Sequence, residues 1–192
     1  MSKVTDPKKV TVTGRLVGGG VFNAKKKKGE PPERARYSAC VVLDQGKAEL
    51  IDQAAKAAIE EKWGNKPPKG LMDWTVREGD DEEFPASFGK EFINPKSQRA
   101  PEVLVKRGEL AERISSEDQL IYAGCYVAVS VSAYAYDGDR QRSIKPGVTL
   151  NLRAVMFVRH GDPLGDVVNV DSEFAGIESA NDEDMFGDND VA

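Results

Sequence analysis

The chain has little of what most catalytic and metal sites are made from. Histidine occurs once, at His160, and cysteine twice, at Cys40 and Cys125. Neither cysteine has a CxxC partner, so a structural zinc site fails on ligand number and no metal is expected. No GxSxG or HExxH occurs, and His160 stands just before Gly161-Asp162-Pro163, where a turn histidine is expected rather than a general base. The run Gly18 to Lys28 contains no GxxxxGK[ST], and its triple glycine is not followed by a helix signal. Asp80-Asp81-Glu82-Glu83 offers metal-ligating groups, but consecutive acids in a loop are usually solvated. These absences predict a protein that is not an enzyme and holds no cofactor.

Long apolar runs are missing too. None approaches the ~18 residues of a membrane helix. Met1 to Lys9 has no apolar stretch of the signal-peptide kind. A soluble, cytoplasmic protein is expected. In that setting the two cysteines, both in apolar strand-like runs, read as reduced core thiols, with a disulfide as the alternative.

What is present is charge, unevenly spread. The 192 residues are 31% charged and 40% hydrophobic, enough for one core with extensions. The net charge of −5 taken alone argues against a nucleic-acid partner. Residues 166–192, however, carry nine acids and no Lys or Arg, so residues 1–165 hold 27 basic against 32 − 9 = 23 acidic groups, a net of +4. Lys8 to Arg36 alone has nine basic residues and two acids. The boundary of the folded domain is therefore set at 165, with 166–192 as a disordered acidic tail. Asp182, Glu183, Asp184, Met185, Phe186, Asp188 and Asp190 combine a polyanion with an apolar hook. The tail is either a solubiliser or a segment that docks on basic surfaces.

Periodicity predicts a mainly β domain with one helix. Val10, Val12 and Leu16 are in phase on a first strand, which the triple glycine is expected to end. The loop beyond carries Phe22 and Lys25, Lys26, Lys27 and Lys28. Tyr37 to Leu43 is a second strand. Lys47 to Trp63 repeats Leu50, Ile51, Ala54, Ala55, Ala58 and Ile59 at helical spacing and stops at Gly64. Leu71 to Glu91 reads as loop, and Glu102 to Lys106 as a short strand. Gly124 to Tyr136 and Val148 to Arg159 alternate over long runs. So many strand edges are best protected in a small closed or nearly closed barrel with long loops.

Single-strand binders need cations for phosphates and flat side chains for bases. In Val148–Arg159, Arg153, Phe157 and Arg159 are expected to share an outer face with Val155. Tyr126, Tyr134 and Tyr136 share the polar face of the preceding strand, with small Ala and Ser between them. Arg140, Arg142 and Lys145 lie in the connecting loop, and Arg34 and Arg36 follow the lysine run. The competing readings are tyrosines packed beneath the helix or at a dimer contact, and a merely solvated lysine loop.

Ile121-Tyr122-Ala123-Gly124-Cys125-Tyr126-Val127, Tyr134-Ala135-Tyr136, Gly147-Val148 with Leu150 and Leu152, and Gly161-Asp162-Pro163-Leu164-Gly165 resemble a bacteriophage family of single-stranded-DNA-binding proteins. Arg77-Glu78-Gly79-Asp80, Phe92-Ile93-Asn94-Pro95 and the acidic C-terminus are similar to its middle portion and tail. The resemblance spans roughly residues 8–165 and the tail. It implies an OB-fold five-stranded barrel, a homodimer, and coating of single-stranded DNA during phage replication, recombination and repair in the host cytoplasm. It also implies an acidic tail that competes for the DNA groove and recruits replication proteins such as a polymerase, helicase or nuclease. Family tails often finish on an aromatic residue, whereas this chain finishes Asp190-Val191-Ala192. A β-barrel interaction adaptor working through its acidic tail is the alternative.

Overall fold

The computed structural model describes residues 6–26, 28–79, 85–139 and 141–164. Lys27, Arg140, the acids at 80–83 and the whole expected tail, including its Met185-Phe186 hook, lie outside the described residues. In chain order the elements are β1 (Lys9–Lys25), β2 (Arg36–Leu43), α1 (Ala48–Trp63), β3 (Met72–Asp73), β4 (Arg77–Glu78), β5 (Glu91–Ile93), β6 (Lys96–Ser97), β7 (Glu102–Arg107), β8 (Leu110–Arg113), β9 (Tyr126–Tyr136) and β10 (Gly147–Arg159). The described chain is thus mostly β with one helix.

The sheet runs β4-β5-β2-β1-β9-β10-β7-β8, and β6 pairs with both β2 and β10. That double pairing closes a ring of five strands, β1-β2-β6-β10-β9. Closure depends on Lys96, which is opposite Ser38 of β2 and Asn151 of β10. The inner positions are mostly β-branched valines, with leucines on β10. Val12, Val41, Val127, Val129, Val131, Val148, Leu150 and Leu152 are buried, as period-two alternation demands. Cys125 is buried in the same interior and Cys40 is buried between Ala39 and Val41 on β2; burial pushes the Cys125 thiol above its usual range.

Helix α1 covers this interior with Ile51, Ala54, Ala55 and Ala58, all buried, while Leu50 is left exposed. Three alanines in that stripe let the helix axis approach the sheet closely. Gly64 ends it with φ 59 and its N–H on the Glu60 carbonyl. The last turn is held on two sides. Lys8 pairs with Glu61, while Asp137, just past β9, accepts from Lys62 Nζ at 2.8 Å and Trp63 Nε1 at 3.0 Å.

Three expectations change. The triple glycine does not end β1. The strand runs on to Lys25, with irregularities between Leu16 and Gly18 and between Gly20 and Lys25. Gly19, at φ +123, makes this possible, because a Cβ there would come within 2.5 Å of the Ser38 carbonyl oxygen. Second, β10 does not alternate cleanly. Arg153 is an extra residue between the paired Leu152 and Ala154, so Val155 is fully buried and Phe157 turns toward the core. Third, the stretch expected as loop contains β3, β4 and the start of β5, and β8 extends the sheet edge beyond β7. Strands of two to four residues bury too few side chains to show a period.

Candidate nucleic-acid interface

Two contiguous clefts open where the ring closes. One, of about 910 Å³, is lined by Arg36, Trp74, Arg77, Asn94, Lys96, Ser97, Gln98, Arg99, Ser132, Tyr134, Thr149, Leu150 and Asn151. The other, of about 890 Å³, is lined by Lys25, Lys26, Glu30, Arg34, Arg36, Ser38, Asn94, Lys96, Arg142 and Ile144. Arg36, Asn94 and Lys96 belong to both, so the two form one trough. Its described lining holds eight Lys or Arg against one acid, Glu30, which lies 3.6 Å from Arg34.

The cations are placed by strand pairing. Lys25 and Arg36 are register partners at the ends of β1 and β2. Like charges directly opposite each other destabilise a sheet, so this arrangement favours an anion between them. The Arg36 guanidinium is fixed by donating to the carbonyls of Glu33 (2.7 Å) and Ala35 (2.8 Å). Lys96 sits on the floor at the closing strand. Arg77, on β4, lies 4.7 Å from the Phe92 ring centroid in a cation–π contact. Arg142 is positioned by the Asp139 turn, where Asp139 Oδ1 accepts from the amides of Gln141 and Arg142.

Two flat side chains stand among these cations. Trp74 is 45% exposed and is held by its backbone N–H on the Val148 carbonyl at 3.0 Å. Tyr134 is 49% exposed and faces Thr149 across the β9–β10 pair. Partial burial raises the Tyr134 phenol pKa, with Tyr136 adding to the rise and Arg36 opposing it. The ring therefore stays neutral well into alkaline conditions and does not repel phosphate.

Of the cations expected from sequence, the trough collects Lys25, Lys26, Arg34, Arg36 and Arg142. Lys28 and Lys145 are exposed but do not line it, and Arg153 and Arg159 project from β10 elsewhere. Of the expected stacking residues only Tyr134 lines it. Phe22 packs against the core from β1, and Phe157 does so from β10 with its ring edge-on to His160. Tyr136 tilts against Tyr134 at 6.4 Å and covers Gly147. Tyr126 lies at the far end of β9, under Arg159. Sequence reasoning missed Trp74, Arg77, Lys96 and Arg99, which lie on two-residue strands (Arg77, Lys96) or just after them (Trp74, Arg99), where no periodicity can show. The hints were the two family-like segments, Arg77-Glu78-Gly79-Asp80, which contains Arg77, and Phe92-Ile93-Asn94-Pro95, whose buried Phe92 and Ile93 lead into Lys96.

A trough of this charge with exposed flat rings is what a single strand of nucleic acid would need. The sequence profile of the family described as "Enterobacter phage Enc34, ssDNA-binding protein" matches residues 8–186. The chain belongs to this family. A curated relative, "Putative protein p50" of Acyrthosiphon pisum secondary endosymbiont phage 1, is 28% identical over 164 residues, covering 79% of this chain and 84% of its own length. The single-stranded DNA-binding protein from bacteriophage Enc34 in complex with ssDNA has a similar structure, with TM-score 0.64 and 16% identity over 82% of this chain and 90% of that one. Another structure of the Enc34 protein gives TM-score 0.63 at 15% identity, covering 88% and 90%. At such identities the likeness establishes the fold. This Enc34-family chain thus shares the OB architecture of its structural neighbours. Among its described residues no helix is long and apolar enough to cross a membrane, and no group of three or more His, Cys, Asp or Glu could hold a metal ion.

Proposed function

We propose that the chain binds single-stranded DNA without sequence preference along the trough, and coats it during phage replication, recombination and repair. The observation that carries this reading is the union of eight cations with Trp74 and Tyr134 in one open groove. The cations track phosphates, and the rings stack unpaired bases, each worth roughly 1–3 kcal/mol. A duplex keeps its bases stacked and offers no face to either ring. Membership of the Enc34 family supports the same reading.

We further assign to residues 166–192 the roles of competitor and recruiter. Nine acids tethered to a body of net +4 have a high effective concentration at the trough. DNA entering the trough would release the tail for replication proteins. A homodimer of this chain belongs to the same proposal.

Titration with single-stranded and duplex oligonucleotides at two salt concentrations tests the central reading. Tight, salt-sensitive binding of the single strand, with tryptophan quenching, is expected. No binding at low salt would overturn it. Matched RNA and DNA strands in the same assay separate the two nucleic acids, which share phosphate and stacking chemistry.

A further inference from the structure

The outer face of β9 continues past the trough. The residues of β9 that alternate with its buried valines run from Tyr134 and Ser132, which line the trough, through Ser130 and the buried Ala128 to Tyr126. The eight steps from Tyr134 to Tyr126 span about 26 Å at ~3.3 Å each. On β9 itself only small side chains intervene, with Met156 of β10 paired opposite Ala128.

At the far end three strands bring one row together. Arg15 of β1 and Arg159 of β10 are both register partners of Tyr126. The Arg159 guanidinium lies 3.4 Å from the Tyr126 ring centroid, and Arg159 itself is exposed. Arg15 is held by donating to the carbonyls of Gly124 (3.2 Å) and Asp162 (2.7 Å). Arg153, pushed out by the β10 bulge, reaches Ser130 Oγ at 3.4 Å between this row and the trough. Glu102, on neighbouring β7 at the level of Ala154, is already paired with Arg113 at 2.6 Å.

Two arginines flanking one tyrosine, about two strand spacings or ~10 Å apart, repel each other. An anionic ligand relieves that repulsion. A guanidinium stacked flat on a ring keeps an outer face for a nucleobase and N–H edges for a phosphate.

We propose that the Arg15–Tyr126–Arg159 row, with Arg153 as a stepping point, is a second nucleotide subsite for the same strand of single-stranded nucleic acid that occupies the trough. This rests on the single-strand reading above and adds to it a direction: the strand leaves the trough along β9 toward the C-terminal end of β10. Short strands fill the trough alone, and longer ones also reach the second row.

The test is a length series of oligothymidylates, from about 4 to about 16 nucleotides, titrated against the full chain and its Arg159→Ala and Trp74→Ala variants. For Arg159→Ala, short strands should bind as they do to the unmodified protein. Long strands should bind at least about fivefold more weakly, with a salt slope lower by about 0.7 per lost contact. Unchanged short-strand binding also shows that the variant is folded. Equal affinity and slope at every length, or equal loss at every length, would overturn the second subsite. The trough reading would still stand if Trp74→Ala weakened the short strands. Failure of the unmodified protein to bind any length would overturn both.

Discussion

Lys96 and Trp74 show how a residue of the candidate site can be invisible to pattern and decisive in space. Lys96 belongs to a two-residue strand, yet its backbone joins β2 to β10 and its side chain lines both halves of the trough. Trp74 follows another two-residue strand and is held by one backbone hydrogen bond. Replacing Trp74 or Tyr134 with Ala should each weaken single-strand binding by roughly 1–3 kcal/mol while leaving the salt slope nearly unchanged, because stacking releases no counterions. Lys96→Met should do the reverse, lowering the slope by about 0.7. Salt-dependent titrations of the three variants distinguish these outcomes. The site is thus separable into stacking and phosphate terms residue by residue.

Among the elements, α1 is the most legible in sequence and the most deliberately anchored. Its alanine-rich stripe announces the buried face, and Gly64 its end. What sequence does not announce is the clamp on its last turn by Lys8 and Asp137, whose partners Glu61, Lys62 and Trp63 are far away in the chain. The bonds from Lys62 and Trp63 lower the Asp137 pKa below the usual 3.8. A carboxyl with a depressed folded-state pKa contributes stability above its unfolded value and loses it as pH falls through the folded one. The melting temperature of Asp137→Asn should therefore lie below that of the unmodified protein near neutral pH, and the gap should close as the pH falls below 3.8 and the carboxylate is protonated. Thermal melts at several pH values check this. Strands behave differently from the helix: the long β9 and β10 were readable, but the Arg153 bulge was not. A single inserted residue reverses the alternation and moves Phe157 from an expected stacking face onto the core.

For the molecule as a whole, the distribution of charge matters more than its sum. The trough lining is strongly basic, whereas the complete chain is at −5 because of 166–192. Under the proposed competition, deleting residues 166–192 should tighten single-strand binding and weaken discrimination against duplex at matched salt. Unchanged or weaker affinity would show that the tail does not compete. Either result is read from parallel gel-shift titrations of the full and shortened chains.

Composition and periodicity by themselves determined the β-rich class, the single helix, the buried valine faces and the opposition of basic body to acidic tail. These follow from local facts: apolar residues must be buried, and their spacing selects the element. Only the tertiary structure decided which charges and rings act together. Lys25 meets Arg36 through β1–β2 pairing, Lys96 arrives by ring closure, and Tyr134 lines the trough while Tyr126, on the same strand, lies under Arg159 about 26 Å away. Register, bulges and closure are set by contacts between distant segments, which no local spacing encodes.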